Sequence, residues 1–174
     1  MARNARATGR VEPGVIVRDA QPGELAGIGD LRVAAYRADG FLPAGSGYAA
    51  TLHALGADGQ GEVLAAVDGG QVVGTIMLQA WPIGEIAQGP GEAEVRALAV
   101  APQARGQGVG AALVSAVIER AARNGIRQLL LLTLPEMRAA HHLYADAGFA
   151  RLPERDWSPM PGTMLLAYGL VLVP

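Results

Sequence analysis

The chain has 174 residues, no cysteine and a formal net charge of −2 at pH 7. This length predicts one domain with a hydrophobic core, and the lack of cysteine excludes disulfides and thiolate chemistry and is typical of a cytoplasmic protein. The weak charge argues against nucleic acid as a partner, and since the sequence has no run of about 18 apolar residues, we expect no membrane span.

Residues 1–14 are rich in arginine and lack the apolar stretch of a secretory signal, so we predict a disordered tail. Residues 15–174 are then expected to form a single domain. In the first half of this domain, apolar periodicity predicts strands at Val15–Arg18, Glu62–Val67 and Gln71–Trp81 and helices at Pro22–Ala38 and Tyr48–Leu55.

In the second half, the predicted elements are strand Glu94–Val100, helix Val109–Arg123, strand Gln128–Thr133, a helix that ends at Gly148, and strand Met164–Leu172. Thr133 and Glu136 have capping-box spacing for the helix that follows them. Residues 152–162 are expected to form a loop. The fold class is α/β, with a mixed central sheet and helices on its faces.

A turn with three glycines follows the strand Glu94–Val100 and precedes a helix. The first N–H groups of a helix have no partner within it, and the helix dipole favours negative charge there. Gly106, Gly108 and Gly110 carry no Cβ, so an anion can approach the backbone closely. Together with the cationic Arg105, this turn predicts a site for a pyrophosphate.

Two other phosphate-binding patterns fit the turn less well. Residues 106–111 read G-Q-G-V-G-A, which matches the dinucleotide pattern, but that pattern requires an acidic residue about 20 positions on, at the end of the next strand. The strand Gln128–Thr133 carries no acid. The P-loop pattern requires Gly-Lys-Ser/Thr, which is absent. A dinucleotide-binding oxidoreductase is therefore a disfavoured alternative.

Two ordered motifs, separated by one apolar strand, resemble the GNAT N-acetyltransferase superfamily. Residues 98–108 read L-A-V-x-P-Q-x-x-G-x-G, and residues 140–149 read A-x-x-L-Y-x-x-x-G-F. The resemblance is sharp over residues 94–149 and implies a GNAT fold, with a mixed sheet flanked by helices on both faces. It also implies acetyl transfer from acetyl-CoA to an amine. Met137 stands where the family often has an asparagine, so any contact of that asparagine with the pantetheine arm is missing.

The resemblance assigns the contacts to acetyl-CoA. Leu98, Ala99 and Val100 are expected to pair with the pantetheine arm like an added strand, and Arg105 is expected to reach a phosphate. The pyrophosphate is expected to accept hydrogen bonds from the backbone of Gly106, Gln107, Gly108, Val109, Gly110 and Ala111.

Two residues are the candidates for proton transfer. Glu94 lies four residues before Leu98, where some family members carry a catalytic glutamate; it would share a face with Arg96 and Leu98 if no bulge intervened. The alternative for Glu94 is a solvated side chain paired with Arg96. Tyr144 matches the family tyrosine that points its hydroxyl at the sulfur, and its alternative is a core tyrosine. No cluster has metal-ligand spacing, so no metal is expected.

The sequence leaves the acceptor unnamed. A small-molecule or peptide amine is expected, and aromatic residues around the first loop, Tyr36, Phe41 and Tyr48, are candidates for its walls. A homodimer is compatible with the resemblance. The alternative function is a non-catalytic module that binds acetyl-CoA without turning it over.

Overall fold

The structure is a computed structural model that describes residues 14–173. Its strands are β1 (Val15–Asp19), β2 (Glu62–Asp68), β3 (Gln71–Ala80), β4 (Glu92–Val100), β5 (Gln128–Thr133), β6 (Ala150–Arg151), β7 (Trp157–Met160) and β8 (Thr163–Val171). Its helices are α1 (Leu25–Ala38), α2 (Tyr48–Ala54), α3 (Val109–Arg123) and α4 (Arg138–Asp146). The predicted disordered tail falls on residues 1–14, of which 1–13 lie outside the described residues.

Within the described residues the strands form one sheet in the order β1-β2-β3-β4-β5-β8-β6, with β7 paired to β8. From β1 to β4 each adjacent pair of strands is antiparallel, β4 and β5 are parallel, and β8 is antiparallel to β5. The predicted mixed sheet is confirmed. A parallel pair needs a crossover, and α3 supplies it between β4 and β5.

The two faces of the sheet are covered by different helices. On one face, Leu64 and Ala66 of β2 belong to the main core, which also contains Leu113 and Val117 of α3. On the other face, the alternate β2 residues Ala65 and Val67 pack against Ile28 of α1. This alternation follows from the two-residue repeat of a strand. The two apolar stripes therefore place α3 and α1 on opposite faces.

Helix α4 begins later than the capping-box spacing predicts. The hydroxyl of Thr133 donates to the carbonyl of Leu134 at 3.4 Å instead of capping the helix. A turn intervenes, in which the N–H of Met137 donates to the same carbonyl at 3.1 Å, and the helix starts at Arg138 without a side-chain cap. The capping-box prediction was therefore wrong.

The segment predicted as a loop at residues 152–162 contains strand β7. This strand forms a hairpin with β8, in which Trp157 pairs with Leu165 and Met160 with Thr163. Its own sequence gives little strand signal because Pro159 interrupts it, so the pairing with β8 decides its conformation. None of the helices in residues 14–173 is long and apolar enough to cross a membrane.

Candidate active site

Strands β4 and β5 diverge in the middle of the sheet. They pair only from Glu92 to Glu94, opposite Gln128 to Leu130, although β4 continues to Val100 and β5 to Thr133. Over the remaining length, no strand within residues 14–173 pairs with the edge of β4 that faces β5. An edge of this kind can take up an extended chain by backbone hydrogen bonding.

A β-bulge at Ala97 changes which side chains of β4 share a face. Ala97 has φ of 54°, and the pairing with β3 shifts between Thr75 and Met77. Before the bulge, Glu94 and Arg96 lie on the face opposite the core that α3 covers. After it, Leu98 packs against that core. The condition under which Glu94, Arg96 and Leu98 would share one face, the absence of a bulge, is therefore not met, and the extra residue inverts the alternation.

The turn before α3 presents a row of unbonded donors. Gly106 and Gly108 have φ of 76° and 79°, and Gly108 is the N-cap residue of α3. The helix ladder begins where the N–H of Ala112 donates to the carbonyl of Gly108 at 3.0 Å. Across residues 14–173, no protein acceptor takes a hydrogen bond from the N–H groups of Gly106 through Ala111. Successive free N–H groups at a helix start form an anion-binding concavity.

Several residues predicted to contact the cofactor offer it their backbone, while their side chains or small size serve the packing of the fold. Val109 is 2% exposed and packs in the core, so only its N–H faces the turn. A Cβ on Gly110 would lie 3.1 Å from Cδ2 of Leu143, so this glycine also lets α3 approach α4. On β4, Ala99 and Val100 pair with β3 on one side. Their backbone on the other side faces β5.

Arg105 has protein partners in this structure. Its guanidinium donates to Oδ1 of Asp39 at 2.5 Å and to the carbonyl of Val100 at 3.3 Å. Its second terminal nitrogen donates to the carbonyl of Ala35 at 3.5 Å. Arg105 thus ties the glycine turn to the end of α1. The phosphate contact expected from the sequence requires it to exchange Asp39 for a ligand.

Glu94 is buried and held by a loop. It is 2% exposed, and its Oε1 accepts hydrogen bonds from the backbone N–H groups of Ile86 at 2.5 Å and Ala87 at 2.9 Å. A Cβ on Gly84 would lie 2.6 Å from the Glu94 carboxyl carbon, so only glycine allows the loop to close this tightly. The alternative of a solvated Glu94 paired with Arg96 does not describe this geometry.

Tyr144 is a buried residue of α4. Its ring packs in the core on the α3 face and contacts Phe149 at 5.7 Å between centroids. Burial raises the pKa of Tyr144, and the neighbouring Tyr36 raises it further. The gap, the free N–H groups and Glu94 lie along β4 or just after its end, and Tyr144 lies on α4, the helix that packs against α3 at Gly110.

The model of the Acetyltransferase (GNAT) family matches residues 19–149 of the chain. The chain belongs to this family. The motifs at residues 98–108 and 140–149 that suggested it lie inside the matched range. A GNAT domain uses acetyl-CoA as its co-substrate, so the dinucleotide alternative falls away.

Relatives and solved structures agree with this assignment. The mycothiol acetyltransferase of Cellulomonas flavigena is 35% identical over 119 residues, which cover 63% of this chain and 34% of that protein. The N-acetylaspartate synthetase of Danio rerio is 35% identical over 93 residues, which cover 53% of this chain and 31% of that protein. The chain thus spans about a third of the length of these curated relatives.

A Salmonella typhimurium acetyltransferase, solved with its cofactor acetyl-CoA, superposes with a TM-score of 0.65. It is 19% identical, and the match covers 92% of this chain and 95% of that one. At this identity the likeness shows the GNAT fold alone.

Sequence reasoning about this GNAT domain missed one buried residue. Arg32 lies on the inward face of α1 with Ile28 and Ala35 and is fully buried. The spacing of these residues was the available signal, since a helix stripe that is otherwise apolar rarely includes an unpaired charge. His141 of α4 also has protein partners: its Nε2 lies 3.0 Å from the carbonyl of Leu134, and its ring stacks on Tyr168.

Proposed function

We propose that the protein is an N-acetyltransferase that moves the acetyl group of acetyl-CoA onto an amine by direct attack on the thioester. The observation that carries this proposal is the row of unbonded N–H groups from Gly106 through Ala111, beside the unpaired edge of β4. A pyrophosphate is an anion that this row accommodates. The adjoining strand edge suits the pantetheine arm, which can pair with it as a strand would.

The divergence of β4 and β5 is the proposed place of the reaction. An arm that runs along β4 from the glycine turn reaches the point where the strands begin to pair, and Glu94 lies there. We place the hydroxyl of Tyr144, a buried residue of α4, at the same point. Holding two reactants together in this way converts a bimolecular step into an effectively unimolecular one.

The chemistry requires two proton transfers. The neutral amine attacks the carbonyl carbon, the C–S bond breaks, the nitrogen loses one proton and the sulfur gains one. We assign the first proton to Glu94, directly or through water, and the second to Tyr144. A tyrosine hydroxyl is protonated near neutral pH, and burial raises the pKa of Tyr144 further, so the hydroxyl is in the form that can donate to the leaving thiolate.

The named relatives support acetyl transfer without choosing an acceptor. One is a mycothiol acetyltransferase and the other an N-acetylaspartate synthetase, so their names point to different products. Each also extends well beyond the aligned part. The proposal for this chain is therefore limited to an amine acceptor.

The test compares two glycines of similar geometry. Gly106 and Gly125 have φ of 76° and 74°, and a Cβ on either meets no atom within 4 Å. Valine at either position carries the same backbone strain, but only Gly106→Val places a side chain at the proposed pyrophosphate. We expect calorimetry to show loss of acetyl-CoA binding for Gly106→Val and retention for Gly125→Val, with both folded by circular dichroism.

Turnover is measured as CoA thiol release with a panel of amines. Wild-type release that depends on the amine supports the transferase. Tight acetyl-CoA binding with no release for any amine would favour the non-catalytic module instead. Equal binding by Gly106→Val and wild type would remove the turn as the cofactor site.

A further inference from the structure

Arg32 is a buried guanidinium without an anionic partner. It is 0% exposed, and its Nε and Nη2 atoms have no hydrogen-bond partner. No carboxylate of residues 14–173 forms an ion pair with it. Buried charges in proteins are normally paired, because leaving one unpaired costs several kcal/mol. An unsatisfied group of this kind calls for an explanation.

The hydrogen bonds of Arg32 to the protein use only one of its three guanidinium nitrogens. Nη1 of Arg32 donates to the carbonyls of Leu52 at 3.3 Å and Leu55 at 2.7 Å, at the C-terminal end of α2. A cation at a helix C-terminus stabilises the helix. This contact leaves Nε and Nη2 unused, and these two atoms form the edge of a guanidinium that binds both oxygens of a carboxylate.

A second cation, Arg96 of β4, lies on the face of the sheet that α1 covers. The pKa of Arg32 is lowered to about 10, chiefly by burial; Arg96 acts in the same direction, whereas Tyr36 and Tyr48 oppose it. Arg96 donates to Oε1 of Gln79 at 3.1 Å, and its nearest carboxylate is that of Glu85 at 3.9 Å. The other acid on this face, Glu94, accepts hydrogen bonds from the N–H groups of Ile86 and Ala87, and no carboxylate of residues 14–173 lies closer than 3.9 Å to either guanidinium. Both arginines can therefore take an added carboxylate as a partner.

Strand β4 shows where the two arginines lie relative to the proposed reaction. Arg96 is two residues from Glu94 and lies on the same face, before the bulge at Ala97. Arg32 lies on the inward side of α1, which packs on this face of β4. The two arginines therefore lie on the α1 side of the strand that carries Glu94, the residue assigned to the amine proton.

We propose that the acceptor amine carries a carboxylate, and that Arg96 and Arg32 bind this carboxylate while the amine faces the thioester. The inference rests on the proposed N-acetyltransferase function and names its substrate class as an amino acid or a related amino carboxylate. Arg96 is the outer contact, with its side chain 19% exposed, and Arg32 is the inner one. Because Nε and Nη2 of Arg32 are buried, the neighbouring side chains must move before the carboxylate can reach these two atoms.

The carboxylate takes no part in bond making. The amine nitrogen bonds to the acetyl carbon, the C–S bond breaks, and the products are an N-acetylated acid and the CoA thiol. One proton passes from the nitrogen to the base and one reaches the sulfur. The two arginines hold the acid end, so their contribution appears as substrate selection and positioning.

The experiment measures selectivity with matched substrates. Glycine is compared with glycinamide and β-alanine with its amide, at saturating acetyl-CoA, and 2-aminoethylphosphonate tests whether any anion suffices. An amino amide holds its ammonium proton less tightly than the amino acid does, so the comparison is biased against the proposal. We expect kcat/KM to favour the acids about 10- to 100-fold, as a charge-assisted hydrogen bond would give.

Variants then separate charge from packing. Arg96→Gln removes the outer charge and should reduce the acid-to-amide ratio of kcat/KM about tenfold or more. Arg32→Lys keeps a positive charge that can donate to the carbonyls at the end of α2, but it lacks the Nε and Nη2 pair that binds both carboxylate oxygens. The acid-to-amide ratio should therefore fall while the protein stays folded. Arg123→Gln, an exposed residue in the last turn of α3, is the control and should leave the ratio unchanged.

A binding measurement tests the carboxylate site independently of catalysis. Thermal shift with β-alanine or its amide, in the presence of CoA, should show stabilisation by the acid that Arg96→Gln abolishes. If no amine is acetylated but this shift is present, the transferase function fails and the carboxylate site stands. If neutral amides or the phosphonate turn over as well as the acids, the carboxylate proposal is overturned and the function stands. The absence of both turnover and shift overturns both.

Discussion

At the residue scale, Glu94 and Tyr144 are held in place by different forces. The Glu94 carboxylate is fixed by two backbone N–H groups of the loop at residues 82–91. Tyr144 is fixed by apolar packing, with Phe149 against its ring. Their roles in proton transfer stay predictions, and the two modes of attachment suggest which substitutions test them cleanly.

Tyr144→Phe keeps the ring and removes only the hydroxyl, so we expect stability to hold and turnover to fall about 10²–10⁴-fold, the usual contribution of a positioned acid or base. Because the missing group is a donor to the leaving sulfur, a higher pH should not restore the rate. The measurement is a pH–rate profile with one amine that turns over. Full turnover by Tyr144→Phe would make this residue a packing tyrosine.

Glu94→Gln keeps a side-chain oxygen that can accept both loop N–H groups, so the loop should stay in place. Loss of the base should lower the rate most where the amine is still protonated, and raising the pH should partly restore it. Glu94→Ala is the comparison that also releases the loop. If Glu94→Gln has the wild-type profile while Glu94→Ala is impaired, Glu94 anchors the loop and another group takes the proton.

At the element scale, the glycine turn and α1 are joined by one exchangeable contact. Arg105 pairs with Asp39 at 2.5 Å, and both side chains are about one third exposed. An exposed pair contributes roughly 0–1 kcal/mol, so a phosphate can compete for the arginine. Binding of acetyl-CoA would then release the end of α1, beside the loop that leads to α2.

This competition predicts opposite effects for the two partners. Asp39→Asn removes the internal competitor and should tighten acetyl-CoA binding by a few-fold, whereas Arg105→Gln should weaken it. The loss for Arg105→Gln should be smaller for pantetheine fragments without phosphate, and high salt should reduce it by screening. Calorimetry with both ligands measures these differences. Unchanged affinity in Asp39→Asn, with equal losses for both ligands in Arg105→Gln, would make the pair a structural tie.

At the scale of the whole molecule, an ion pair joins the start of β4 to the segment before β7. Arg155 donates to both oxygens of Glu92, at 3.2 and 2.8 Å, and to the carbonyl of Ile86 at 2.8 Å. The Arg155 guanidinium lowers the pKa of Glu92, and the N–H of Gln88 contributes in the same direction. The pair thereby holds the loop that carries the Glu94 contacts against the far half of the sheet.

The sign of its pH dependence follows from the lowered pKa. A carboxyl whose folded pKa is below the unfolded value, about 4.3 for glutamate, contributes stability above that pH and loses it as the pH falls through the folded pKa. Arg155→Gln should therefore cost on the order of 1 kcal/mol at pH 6, after allowance for solvent screening, and less at pH 3. Urea unfolding at both pH values measures this. A loss that is equal at both would assign the effect to the Ile86 contact alone.

The sequence by itself determined the features that depend on neighbours along the chain. The helix Val109–Arg123 and the strand Gln128–Thr133 have the bounds that periodicity predicted. The glycine turn was recognisable because left-handed backbone and free N–H groups at a helix start both follow from local residue types. The GNAT family was readable from two short motifs for the same reason.

Only the tertiary structure decided the features that join distant residues. Arg105 and Asp39 are 66 positions apart, and Arg32 and Leu55 are 23 apart, so neither contact is visible in a local pattern. The bulge at Ala97 and the divergence of β4 from β5 depend on how three strands pair, and they set the faces on which Glu94, Arg96 and Leu98 lie. Local periodicity describes one element at a time, whereas a site between elements is created by their packing.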